Sequence, residues 1–337
     1  MNLINNVVGI TLGLVTIAVM LFIYTKYKFY TNISYERLNE IFKSRKRFKN
    51  SELKYIKNNY KSLFIESYNK NNIEFARWLY NLYLSDKQIN LNISEFIQSA
   101  FEHSCKKGNK KMAEWLYTLS DSGNKKIDIY INNNTLFKSV CYGGYTDIVE
   151  WLYNISKKDK NKIDINTNND EIFINVCHNG HCGVAQLLYK LSRTDRNNKI
   201  KTETLSQAFN SSCENGHVSV AKYLYNISKM NGNKKININS SNNHLFFQGC
   251  INGHKSLVEW LYNTSKIDKN TKININLNNN YAFRKSCECG KVEIAEYLHN
   301  LSKCDEHTKI NIGDYNYCFK IACRNNQKKW QNGCIIQ

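Results

Sequence analysis

Two hydrophobic patterns divide this 337-residue chain. Near the N-terminus, Val7 to Tyr24 is an unbroken apolar run of eighteen residues without a charge. After residue 62 the apolar residues come in short stripes separated by polar stretches, and the stripes have helical spacing. In Thr135 to Cys141, the residues Leu136, Phe137, Val140 and Cys141 fall on one face of a helix. Gly143 and Gly144 stop that helix, and from Asp147 to Ile155 the spacing of Ile148, Val149, Trp151, Leu152 and Ile155 predicts a second one. Ser156 to Asn169 is polar and centred on Lys-Ile-Asp-Ile-Asn, which predicts an extended connector.

This hairpin-plus-connector pattern recurs. Cys105, Cys141, Cys177, Cys213, Cys250 and Cys287 are each followed three residues later by Gly, at successive spacings of 36, 36, 36, 37 and 37. Ten residues after each Cys stands a bulky residue expected in the core, Trp115, Trp151 and Trp260 among them, followed by Leu and usually Tyr. Trp78-Leu79-Tyr80 fits a divergent first unit, and Cys323 begins a last one that lacks its aromatic position. About eight units are therefore expected, each too small to bury both helical faces alone, so stacking must supply the core. The resulting fold class is all-α: a solenoid of helical hairpins with an apolar N-terminal helix.

Within the units, Asp164-Ile165-Asn166, Asn179-Gly180-His181 and Val184-Ala185 with Leu187-Leu188 resemble ankyrin-repeat signatures, and Asn215-Gly216-His217 with Val220-Ala221 repeats the match. The proline-free, Trp-Leu-Tyr-rich version is similar to the divergent ankyrin-repeat proteins of large amoeba-infecting DNA viruses. The resemblance covers residues 62–330 and implies a protein-binding surface. The sequence departs from the family in its longer period and in carrying Thr135-Leu136-Phe137 where ankyrins carry Thr-Pro-Leu-His.

The apolar run, at 1.5 Å per residue, has the length of a membrane-crossing helix. No basic residue precedes it, whereas Lys26, Lys28, Arg37, Lys43 and four more follow by Lys49, so the positive-inside rule places the repeats in the cytosol. The expected organisation is a short extra-cytosolic tail (1–6), a transmembrane helix (7–25), a basic juxtamembrane segment (26–61), the ankyrin-like solenoid (62–330) and a C-terminal tail (331–337). The viral resemblance implies a host-cell membrane.

Charge sharpens this picture. The chain carries a net +19 and a pI near 9.3. From Lys26 to Lys61, eleven basic residues face three acidic ones, a surplus of eight beside the apolar run. Lys43, Arg45, Lys46, Arg47 and Lys49 are the candidate contacts to an anionic surface. The abundance of Asn and Lys, with no Pro at all, reads as compositional bias and lowers the weight of any single Lys or Asn motif.

Candidate chemistry is sparse. The register cysteines stand where ankyrins have small apolar residues and are read as core. Cys177-His178-Asn179-Gly180-His181-Cys182 offers four zinc-type ligands, but the inward register of Cys177 opposes closing a tetrahedron. No phosphate-binding Gly loop, nucleophile elbow or His-Glu-x-x-His occurs. These features predict no catalysis, no cofactor, no metal and no small-molecule substrate. The expected function is a membrane-tethered protein-interaction scaffold whose partner and binding residues the sequence does not name. The alternative is electrostatic binding of a polyanion, anionic lipid or nucleic acid, through the basic segment and the basic solenoid. Nucleic acid is the disfavoured partner, since the tryptophans share a packing register. The truncated last unit also admits a decaying paralogue with little function.

Overall fold

The computed structural model describes residues 33–85, 93–119, 126–158, 163–194, 199–230, 235–267 and 272–303, together with 310, 316, 320 and 321. Among the described residues there are sixteen α-helices and no strand. The expected fold class is corrected in one respect. Among the described residues no helix is long and apolar enough to cross a membrane. The longest, at fourteen residues, reaches roughly 21 Å against a hydrocarbon layer of about 30 Å. Val7 to Tyr24, on which the transmembrane assignment rested, lies outside the described residues, as do Cys323 and the 331–337 tail.

The chain divides into two compact units, residues 1–128 and 129–337. The first contains α1 (Tyr35–Lys43), α2 (Asn50–Asn58), α3 (Tyr60–Asn69), α4 (Ile73–Ser85), α5 (Ile93–Lys106) and α6 (Lys110–Leu119). Residues 33–61, assigned from sequence to the segment before the repeats, are thus part of a folded body. Leu38 and Ile56 are fully buried, and Tyr35 meets Phe75 edge-on at 5.3 Å. The Asn72 amide donates to Asn39 Oδ1 at 2.7 Å and to the Tyr35 hydroxyl at 3.1 Å, fastening α1 to the start of α4.

The second unit is a run of five helical hairpins: α7 (Ile131–Tyr142) with α8 (Thr146–Ser156), α9 (Thr167–His178) with α10 (Cys182–Thr194), α11 (Thr202–Glu214) with α12 (Val218–Ser228), α13 (Ser240–Asn252) with α14 (Lys255–Ile267), and α15 (Leu277–Glu288) with α16 (Val292–Lys303). Counted from the register Cys, three positions form the core of every hairpin. They are the Phe four residues before it (Phe137, Phe173, Phe209, Phe246, Phe283), the Cys itself, and the Leu eleven residues after it (Leu152, Leu188, Leu224, Leu261, Leu298). All are at most 1% exposed. Phe101, Cys105 and Leu116 fill the same places in the first unit.

The tryptophans expected in that core are only half-buried. Successive residues on a helix point about 100° apart, so the eleventh position, a Leu, takes the inward direction and a ring as large as Trp at the tenth stays at the flank, whereas the smaller Leu187 at that position is buried beside Leu188. Trp260 lies at the flank instead, edge-on to Phe209 at 6.3 Å and to Tyr225 at 5.8 Å in the preceding hairpin. Trp115 meets Tyr80 of α4 at 6.2 Å in the same manner.

Polar groups join the hairpins as regularly as apolar ones. Fifteen residues after each Cys of the second unit is a buried Ser (Ser156, Ser192, Ser228, Ser265, Ser302) whose hydroxyl donates to the carbonyl three residues back. Ser228 Oγ also accepts from Ile236 N at 3.2 Å, pinning the connector. Ile236 and Ile238 are buried around exposed Asn237, whose side chain accepts from Asn239 N at 2.9 Å. Asp164 and Asn274 make the same turn.

Seven residues before the Cys, Asn134, Asp170, Asn243 and Asn280 adopt left-handed backbone at φ between 56° and 65°. Among L-residues Asn and Asp tolerate this best, which gives the Asn-rich runs a structural role. Asp170 is buried and reaches the next repeat, accepting from Lys201 N at 3.2 Å and from Thr204 Oγ1 at 2.6 Å. Asn243 donates to Asn274 O at 3.0 Å. Asp170→Ala, which leaves two donors unmet and puts Ala in left-handed backbone, is expected to lower stability by about 3 kcal/mol. Asp170→Asn should lose less than half of that, as read from denaturant midpoints; equal losses would show that the cross-repeat hydrogen bonds contribute nothing.

Burial pushes the Cys105 thiol up to about 12, and those of Cys141, Cys177, Cys213 and Cys250 well above the ordinary thiol range. Iodoacetamide should therefore modify exposed Cys289 in the native protein and these five only after unfolding, as mapped by mass spectrometry. Native-state labelling of the five would contradict the packed register.

Candidate anion-binding cleft

The candidate contacts Lys43, Arg45, Lys46, Arg47 and Lys49 cluster at one place, the end of α1 and the loop leading into α2. Two backbone devices hold that loop. The first closes α1: Lys46 N donates to Ile41 O at 3.2 Å and Arg45 N to Phe42 O at 3.0 Å, with Arg45 left-handed at φ 53°. This pairing of bonds is the Schellman ending, whose left-handed residue is usually Gly because a side chain there is strained. The hairpin turns of this chain follow that preference with Gly108, Gly144, Gly180, Gly216, Gly253 and Gly290, and Asn71 stands in the turn before α4. Arg45 is the departure.

The second device opens α2. Glu52, 3% exposed, accepts from Lys49 N at 2.8 Å and lies 3.7 Å from the Arg37 guanidinium. One buried carboxylate thus caps α2 and ties it to α1.

Aromatic rings complete the arrangement. Phe48 stacks on Trp78 at 4.8 Å and 25°, Phe75 stacks on Trp78 at 5.5 Å, and Phe42 leans on Phe75 and Trp78 at 5.4 and 5.9 Å. Phe48 thereby anchors the basic loop to α4. Between loop and helix is a cleft of about 630 Å³ lined by Phe42, Phe48, Leu53 and Trp78 as well as Arg45, Lys46, Arg47 and Lys49. The five cations are exposed, and none forms an ion pair with a described carboxylate. A cationic rim over an aromatic wall suits a multivalent anion with an apolar portion.

The structure therefore joins four of the five basic residues expected from sequence, Arg45, Lys46, Arg47 and Lys49, to Phe42, Phe48, Leu53 and Trp78, with which the sequence did not connect them, and leaves Lys43 outside the cleft lining. Trp78 was visible only as a repeat position, and nothing local in sequence indicates that α4 passes beneath the loop. The register cysteines and Trp115, Trp151 and Trp260 belong to packing, as described above. Cys177 is fully buried, and Cys182 is half-exposed, its thiol 3.7 Å from Ser219 O. Among the described residues no three His, Cys, Asp or Glu side chains come close enough to hold a metal ion.

No family model matches the sequence, and no curated protein is significantly similar to it.

Arg45→Gly tests the cleft through two readouts. Relief of left-handed strain is expected to raise stability by about 1 kcal/mol, while loss of the cation weakens binding of inorganic polyphosphate several-fold. Lys46→Gln should weaken binding alike without stabilising. Binding that is insensitive to both substitutions would remove the cleft from consideration.

Proposed function

We propose that the chain is a non-catalytic binding scaffold that recognises a protein partner through the surface of its ankyrin-like repeats. The observation that carries this reading is the separation, within each hairpin, of recurring and varying positions. Phe, Cys, Leu and Ser recur and are buried. Six residues before each Cys the second unit carries in turn Thr135, Glu171, Gln207, His244 and Tyr281, all at least partly accessible. Glu171 pairs with Lys138 at 3.7 Å and Tyr281 meets Phe247 edge-on at 5.2 Å, but the residue type at this position changes from hairpin to hairpin while the core does not, which is how a constant repeat scaffold acquires specificity.

Gln207→Ala with His244→Ala, both at exposed positions, should leave the melting temperature unchanged. The same double variant should abolish a discrete in-cell photo-crosslink formed from the first-helix face by the parent chain. A parent chain that yields no discrete adduct from that face would end the proposal.

A second reading, electrostatic binding of a polyanion, is supported by the unneutralised cations of the α1–α2 loop. Strong dependence on salt separates it from the first, because each phosphate contact made releases counterions.

A further inference from the structure

In the second unit the positive charge lies at one end of the hairpins. Sixteen residues after each register Cys, where the second helix gives way to the connector, stands a cation in every repeat: Lys157, Arg193, Lys229, Lys266 and Lys303, all exposed. Three of them are held over the Tyr four residues earlier, Lys157 on Tyr153 at 4.8 Å, Lys229 on Tyr225 at 3.9 Å and Lys266 on Tyr262 at 4.5 Å. A second row, Lys199, Lys235 and Lys272, precedes the first connector Ile and is also exposed. Counting described residues only, the connector end carries ten cations and three carboxylates, Asp164, the buried Asp170 and Glu203. The hairpin-turn end carries three cations, Lys255, Lys285 and Lys291, and four carboxylates, Asp147, Glu214, Glu288 and Glu293. There Lys255 pairs with Glu293 at 3.4 Å, whereas none of the five cations of the first row pairs with a described carboxylate.

Neither compositional bias nor helix dipoles account for this. Bias toward Lys would populate both ends alike. A dipole favours a cation in the last turn of any helix, yet of the five helices that end at the hairpin turns α7, α11 and α13 have none there, α9 has only His178, and in α15 Lys285 pairs with Glu288. The second row lies outside helices altogether.

Resting on the polyanion reading, we propose that the connector end of the second unit is a docking surface for the backbone of duplex nucleic acid. With neighbouring hairpins packed about 9 Å apart, the four steps from Lys157 to Lys303 span roughly 36 Å, close to one turn of a duplex. The contact is to phosphate rather than to bases: the Tyr rings of the row are covered by their own Lys, which leaves single-stranded bases no platform to stack on. Recognition is therefore independent of sequence.

The test uses the full chain and a fluorescent duplex of about twenty base pairs, titrated from about 50 to about 200 mM salt. Five phosphate contacts give a log–log slope of about −4.5. The triple variant Lys157→Gln, Lys229→Gln, Lys266→Gln should weaken binding more than ten-fold and reduce the slope by about 2 to 3. A charge-matched control, Lys222→Gln, Lys255→Gln, Lys291→Gln, should change both by far less, and thermal melts should show both variants folded. Equal losses in the two variants would overturn the assignment to the connector end while leaving the polyanion reading in place. Binding to anionic phosphatidylserine vesicles without binding to duplex would overturn the nucleic-acid assignment alone. No binding to either would overturn both, and the protein-scaffold proposal would be untouched.

Discussion

A hairpin of two short helices cannot enclose its own apolar side chains, and that constraint organises the second unit. Phe173 and Cys177 come from one helix of a pair and Leu188 from the other, and their full burial requires the hairpins before and after. The polar interactions follow the same logic. A left-handed glycine at each turn admits the next repeat: a Cβ on Gly180 would lie 2.5 Å from Nδ1 of His217, and one on Gly144 equally close to His181. The His181 ring in turn contacts Tyr142 O at 2.8 Å. Successive repeats are thus joined at the turn by His181, His217 and His254, with Lys291 in that place in the last hairpin, at the connector by Asp170 or Asn243, and in the middle by apolar packing. Contacts of this nearest-neighbour kind make stability a sum over interfaces, which is why residues at the accessible positions vary without loss of the fold.

The same periodicity that builds the core distributes charge. A side chain that extends outward at one register position is repeated at the spacing of the hairpins, so a modest local preference becomes a row. Like charges in a row repel, and the structure lessens this by laying Lys157, Lys229 and Lys266 over Tyr rings. A ring face attracts a cation without neutralising it. The charge is therefore localised yet still available to an anion, which a salt bridge would not have allowed. At the hairpin turns, by contrast, Lys255 pairs with Glu293 and Lys285 with Glu288.

Much of this was legible in the sequence because the register is strict. The Cys-x-x-Gly spacing located the hairpin turns, and the helical stripes and Ile-containing connectors fell where expected. What was not legible depends on geometry that periodicity does not encode. The Trp positions look like core because they are bulky and regular, but the adjacent Leu takes the inward direction. The Asn runs look like compositional bias, and only backbone angles reveal that Asn134, Asn243 and Asn280 occupy left-handed turns. The α1–α2 region has no register to read, so its basic residues suggested a juxtamembrane segment. Its fold depends on Leu38, Glu52 and Ile56, three buried residues among many charged ones.

Arg45 and Asp170 illustrate two different reasons for an L-residue in left-handed backbone. Asp170 is buried, and its carboxylate satisfies a backbone N–H and a hydroxyl of the next repeat. Its strain is offset locally by hydrogen bonds that Gly could not make. Arg45 is exposed, its side chain pairs with no described carboxylate, and it stands at a helix ending where Gly would serve folding better. Strain without local compensation points to a demand outside folding. In Arg45 that demand coincides with a cluster of unpaired cations and an aromatic-walled cleft, so the backbone and the electrostatics, which are independent observations, single out the same loop.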